Sequence, residues 1–91
     1  MEVHWSPEAA DDLESIVRRI RRENPHAARA VADRVFQRCA SLETFPNRGR
    51  VGRIAQTREL VLAPLPYIIV YRVRSDAVEI VRIYHSAQNW P

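Results

Sequence analysis

The sequence has no lysine, one cysteine (Cys39), one methionine and only two glycines, Gly49 and Gly52. Each scarcity excludes something. All fourteen basic residues are arginine, and a guanidinium does not deprotonate in proteins, so no basic side chain other than histidine can shuttle a proton. Acid–base chemistry is left to His, Tyr, Glu, Asp or Cys. A lone cysteine cannot close an internal disulfide, which makes a reducing cytoplasm the expected compartment. The glycine content excludes a glycine-rich phosphate-binding loop. No apolar run approaches the roughly 20 residues of a membrane span, and no signal peptide is expected. Metal-ligand spacing, a nucleophile triad, internal repeats and low-complexity segments are also absent, so neither a metal nor a cofactor is expected.

What is present suits one globular domain over residues 1–91. Apolar residues make up 46 % of the chain, charged residues 27 %, and the formal net charge is +3. Glu2–Trp5 reads as a short strand. Ser6 followed by Pro7 is a cap-then-proline helix start. Ala9, Leu13, Ile16, Val17 and Ile20 then recur at helical spacing. Acidic residues crowd the beginning of that helix and arginines its end, which complements the helix dipole. Asn24–Pro25 repeats the start signal. Ala28, Val31, Ala32, Val35, Phe36, Cys39 and Leu42 form the second apolar stripe, closed by Phe45–Pro46. So short a link between helices predicts an antiparallel hairpin. Residues 47–57 form a loop with both glycines, and strands follow at about Arg58–Leu62, Tyr67–Arg74 and Ala77–Tyr84.

Ser75–Asp76 is a two-residue turn that sets a register between the last two strands. Arg74 faces Ala77, Val73 faces Val78, Arg72 faces Glu79, and the count continues to Ile69 against Arg82 and Tyr67 against Tyr84. Opposed residues share a face. One face then carries Ile68, Val70, Val81 and Ile83 and reads as core. The other carries Tyr67, Ile69, Tyr71, Ile80, Arg82 and Tyr84 and reads as an open, partly wet surface. On this reading Arg82 projects from the uncovered side of a four-stranded sheet, with the helices on the reverse.

The ordered pieces "WSPEAADDLESI", "NPHAA", "FPNRGRVGR", "TREL", "PYIIVYRV" and "VEIVRIYHSAQNWP" cover almost the whole chain. Together they resemble the RelE/ParE toxins of bacterial type II toxin–antitoxin modules. The resemblance implies an α+β fold: strand, two helices, three strands, with the antiparallel helix hairpin on one face of a mainly antiparallel four-stranded sheet. It implies a growth-inhibiting toxin neutralised by a co-expressed antitoxin in a hetero-oligomer. Three targets of action stay open. RelE-like members cut messenger RNA at the ribosome, ParE-like members poison DNA gyrase without a catalytic constellation, and a degenerate member would only bind antitoxin.

RNA cleavage by 2′-hydroxyl attack needs a base, an acid and cations on the five-coordinate phosphate, with no metal. Arg58 and Arg82 are the candidate phosphate clamps, His85 the base or acid, Tyr84 an alternative donor and Glu59 an alternative base. RelE-like enzymes commonly use lysines here and this chain has none, so as a ribonuclease it would have to resemble instead the branch with a catalytic histidine and tyrosine near the C terminus. Strand alternation places His85 on the face opposite Arg82 and Tyr84. A histidine ending a strand also serves by bonding a backbone group. Arg48, Arg50 and Arg53 are the candidate nucleic-acid contacts. Tyr67, Tyr71 and Arg82, with the groove beside the helices, are the expected docking surface for an acidic, amphipathic antitoxin segment. Trp5 and Trp90 read as packing residues, and Cys39 as a small buried apolar one.

Overall fold

The computed structural model describes residues 1–91. Strand β1 (Glu2–Trp5) leads into helices α1 (Pro7–Arg21) and α2 (Pro25–Ala40) and a single 3-10 turn, Ser41–Glu43. Strands β2 (Arg50–Val51), β3 (Arg58–Val61), β4 (Tyr67–Arg74) and β5 (Ala77–His85) complete the chain. Both helix starts use the expected chemistry. The Ser6 hydroxyl accepts the Ala9 N–H at 3.0 Å, and the Asn24 side-chain oxygen accepts the Ala27 N–H at 3.1 Å. Such caps contribute about 1 kcal/mol each by satisfying an orphan amide.

The five strands lie in the order β1-β5-β4-β3-β2. β1 runs parallel to β5, and every other neighbour pair is antiparallel. The expected strand–helix–helix–three-strand architecture therefore holds, with a two-residue edge strand, β2, added from within the loop. The helices cover one face of the sheet. Ala9, Leu13 and Ile16 of α1 and Val31, Val35 and Cys39 of α2 pack on Leu60, Ile69, Tyr71, Val78, Ile80 and Ile83. Each fully buried aliphatic side chain contributes about 1.5–3 kcal/mol relative to exposure.

Two expectations are corrected here. Pairing follows the turn-derived register from Arg74–Ala77 to Tyr71–Ile80, then shifts by one residue: Val70 faces Arg82, Ile69 faces Ile83 and Tyr67 faces His85. Val81 is the extra residue of a bulge, which flips the phase of the rest of β5. Unbroken alternation would have driven Arg82 into the core beside Ile80 and left Ile83 outside it. The second correction concerns the faces. The tyrosine-bearing face of β4 is the core face, and Ile68, Val70 and Tyr84 form a smaller cluster on the other side with Val81 and Trp90. Tyr71 is 0 % exposed beneath the helices and belongs to no open docking surface, whereas Tyr67, 5 % exposed, lines the groove between α1 and the end of β5.

A tyrosine can be buried this deeply because its hydroxyl is satisfied. Tyr71 donates to the Pro46 carbonyl at 2.8 Å and accepts the Gly49 N–H at 2.9 Å. A Cβ on Gly49 would lie 2.7 Å from that hydroxyl oxygen, so this contact requires glycine. Tyr71→Phe removes both bonds and leaves a buried amide unpaired. We expect it to cost about 1–3 kcal/mol in urea unfolding, with the secondary-structure content unchanged.

Candidate functional site

β5 outlasts its neighbour. β1 pairs with Ala77–Ile80 and stops at Trp5, which leaves the outer edge of the rest of β5 without a strand. Side chains take over. Ser6 donates its backbone N–H to the Ile80 carbonyl and its hydroxyl to the Val81 carbonyl, both at 2.9 Å. Asp12 of α1 accepts the Ile83 N–H at 2.9 Å. The Gln88 side chain accepts the His85 N–H at 2.7 Å.

Asp12 also binds Arg82 through both carboxylate oxygens, Oδ2 to Nε at 2.7 Å and Oδ1 to Nη2 at 3.1 Å. This corrects the expected free guanidinium: Arg82 is tied to a carboxylate of α1. The hydrogen bond that Arg82 donates to Asp12 raises the guanidinium pKa further. On its other side the guanidinium lies 5.4 Å from the centre of the Trp90 ring, and Trp90 stacks on Tyr84 at 5.1 Å. A cation held between a carboxylate and an indole is oriented by both.

Arg82, Tyr84 and His85 line one groove of about 470 Å³ between α1 and the end of β5, together with Asp12, Arg19 and Trp90. Arg58 is not among them. It lines a separate depression with Asn47 and Thr57, and its guanidinium donates to the carbonyls of Gly49 at 2.7 Å and Asn47 at 3.3 Å. His85 Nδ1 accepts the Ala87 N–H at 3.0 Å, so the neutral ring carries its proton on Nε2. In that tautomer the ring has no free lone pair with which to act as a base. The Tyr84 hydroxyl is buried with no partner within hydrogen-bonding distance. Burial pushes its pKa above the usual tyrosine range, and the Glu59 carboxylate adds to the rise.

Glu59 is 2 % exposed and organises the loop. Its Oε1 accepts from Arg50 Nη2 at 2.9 Å and from Nε at 3.2 Å, and its Oε2 accepts the Arg53 N–H at 3.0 Å. Burial alone would raise its pKa. The Arg53 amide and the Arg50 guanidinium outweigh that and hold the carboxyl below the usual glutamate range. Of the loop cations, Arg50 is thus neutralised from within. Arg48 and Arg53 are exposed, donating to the Ser41 hydroxyl at 2.9 Å and the Trp90 carbonyl at 2.7 Å. Cys39 is buried, and desolvation pushes its thiol up to about 12, which leaves it unreactive.

Asp12, Gln88 and Trp90 carry roles that their sequence positions do not announce. Asp12 reads as one of several first-half acids of an amphipathic helix. Only the phase shift in β5 brings it against Arg82, and nothing local marks a bulge at Val81.

Ionised Glu59 contributes stability that is fully present above the ordinary glutamate pKa of about 4.3 and is lost as pH falls through its lower folded value. Glu59→Gln cannot contribute this term. We expect the variant to be less stable than the parent at neutral pH and to lose less on acidification below about pH 4.3, as read from urea unfolding at a series of pH values.

Three comparisons bear on this architecture. Residues 3–90 match the family model described as the ParE toxin of the type II toxin–antitoxin system parDE. The chain is 43 % identical over 89 residues to the protein Y4kP of Sinorhizobium fredii, covering 98 % of this chain and 92 % of that one. It is 41 % identical over 87 residues to toxin RelE2 of Caulobacter vibrioides, covering 96 % and 97 % respectively. Among solved structures, a chain of the chromosomal ParDE toxin–antitoxin system from P. aeruginosa superposes with a TM-score of 0.86 at 25 % identity, covering 93 % of this chain and 95 % of that one. A match that runs almost from end to end, on a sheet and helix hairpin of this topology, makes the chain a member of the ParE toxin family, within the RelE/ParE toxins of type II toxin–antitoxin systems.

Proposed function

We propose that this toxin acts by binding rather than by cleavage, as a ParE-like inhibitor of DNA gyrase, and that a cognate antitoxin neutralises it. The observation that carries the reading is the Arg82–Asp12 pair. A phosphate clamp needs a guanidinium free to receive an anion, and this one already holds a carboxylate. Its neighbours point the same way: His85 uses its Nδ1 lone pair on the Ala87 amide, and the Tyr84 hydroxyl is buried. The fourth member of the expected constellation, Arg58, lies in a different depression. Ribosome-dependent cleavage of messenger RNA is the competing reading, favoured by the shared groove of Arg82, Tyr84 and His85.

The antitoxin segment is assigned to the helix side. Trp5 of β1, Leu13 and Val17 of α1, and Ala32 and Phe36 of α2 line an apolar depression of about 380 Å³. Phe36 is 54 % exposed although it lies on the expected buried stripe, and its ring sits 5.4 Å from that of Trp5. A helix that presents apolar residues at this spacing fits such a depression. It takes over the role expected of Tyr67, Tyr71 and Arg82.

Induction of the toxin without antitoxin is expected to give double-strand DNA breaks and an SOS response while messages stay intact, and His85→Ala is expected to remain toxic. Rapid loss of translation with messages cut at the ribosome, abolished by His85→Ala, would replace this reading with the ribonuclease. Phe36→Asp is expected to keep toxicity and lose rescue by co-expressed antitoxin, scored by growth and by co-purification. Full rescue of that variant would move the antitoxin elsewhere.

A further inference from the structure

The positive charge of this protein is concentrated in one segment. Residues 47–59 contain four arginines (Arg48, Arg50, Arg53 and Arg58) and one acid, Glu59. Outside them, ten arginines stand against ten acids. The formal net charge of +3 therefore resides wholly in a segment of thirteen residues. Arg50 is spent on Glu59. Arg48, Arg53 and Arg58 meet no carboxylate, and their partners are a hydroxyl and backbone carbonyls. Three guanidinium charges are left uncompensated.

The segment is also held in shape. The Tyr71 hydroxyl fixes Gly49 from the helix side of the sheet, and the Glu59 carboxylate fixes Arg50 and the Arg53 amide from the other. Gly52 donates its N–H to the Thr57 carbonyl at 2.8 Å, and the Thr57 hydroxyl closes on the Ile54 carbonyl at 2.6 Å. A cationic surface that is ordered beforehand loses little conformational entropy when it binds. Guanidiniums are suited to phosphate oxygens by their planar fork.

We infer that the segment 47–58 is a docking surface for the phosphate backbone of duplex DNA, with Arg48, Arg53 and Arg58 as the phosphate contacts. Arg50 and Glu59 are positioning residues that hold the loop in shape. This redistributes the expected set of Arg48, Arg50 and Arg53: Arg50 leaves the contact surface and Arg58 joins it. The inference rests on the gyrase reading, in which the toxin meets an enzyme that carries duplex DNA. Binding is independent of base sequence, since nothing in the segment is arranged to read a groove edge.

The test is a salt titration of the full chain against a short labelled duplex. With three phosphates neutralised, affinity is expected to fall about 40-fold between about 50 and 200 mM salt. Arg48→Ala and Arg53→Ala are each expected to reduce that fall to about 12-fold. Arg29→Ala removes one charge from the exposed face of α2 and is expected to leave the salt slope unchanged. Unchanged slopes for both loop variants, or an equal change from Arg29→Ala, overturn the inference. A single-stranded RNA of the same length is run in parallel, and tighter binding to it than to the duplex overturns the DNA assignment. So does loss of antitoxin capture by the loop variants with an unaltered duplex slope, which would give the loop to a protein partner. DNA breaks in induced cells are scored independently. Breaks that persist without any duplex affinity discard this contact and keep gyrase as target, whereas absent breaks discard the gyrase reading itself.

Discussion

A strand that runs past the end of its neighbour leaves donors and acceptors facing nothing, and this structure depends on how that is resolved. β1 is too short to accompany β5 to its end. Asp12, on the first helix, fills the gap by receiving the Ile83 amide and the Arg82 guanidinium together. One carboxylate thus ends an open sheet edge, fastens α1 to β5 and fixes the only arginine of the last strand. The bulge at Val81 is part of the same arrangement. It turns Ile83 toward the helices and brings Arg82 round to the indole of Trp90. The covering of the edge by Ser6, Asp12 and Gln88 also protects it against pairing with other chains.

The basic loop is governed by a second pair of constraints, one from each face of the sheet. Tyr71 reaches it through the core and Glu59 from the opposite side. A buried carboxylate is costly unless its lone pairs are filled, and the loop fills them with Arg50 and the Arg53 amide. Order in the loop and ionisation of Glu59 are therefore one property. The loop also holds the C-terminal tail, because Arg53 donates to the Trp90 carbonyl while the Trp90 ring stacks on Tyr84. The groove at the end of β5 and the cationic segment are physically joined through that one residue.

Much of this was legible in the sequence. The two cap-then-proline starts, the helical stripes and the Ser75–Asp76 turn carry local signals, and each element stands within a few residues of where those signals place it. The Arg72–Glu79 pair follows from the turn alone and is formed at 2.5 Å. The site was less legible for two reasons. A bulge is set by tertiary fit and has no residue signature of its own here, yet it decides where everything after Ile80 points. Tyrosine is ambiguous in the same way. The Tyr71 ring belongs to a core and its hydroxyl to a surface, and the Pro46 and Gly49 backbone groups that resolve the ambiguity are distant in sequence. Phe36 shows the converse, an apolar residue on the right stripe at its solvent margin.

The parallel ribbon between β1 and β5 joins strands that lie far apart in the sequence. The four-residue β1 has no partner in the sheet other than β5. Closing it requires contact between residues 2–5 and residues 77–80, the kind of long-range pairing that delays folding. A ribosome translating this message therefore holds an incomplete sheet until β5 has been made. A product interrupted before β5 leaves β1 with no strand to pair with.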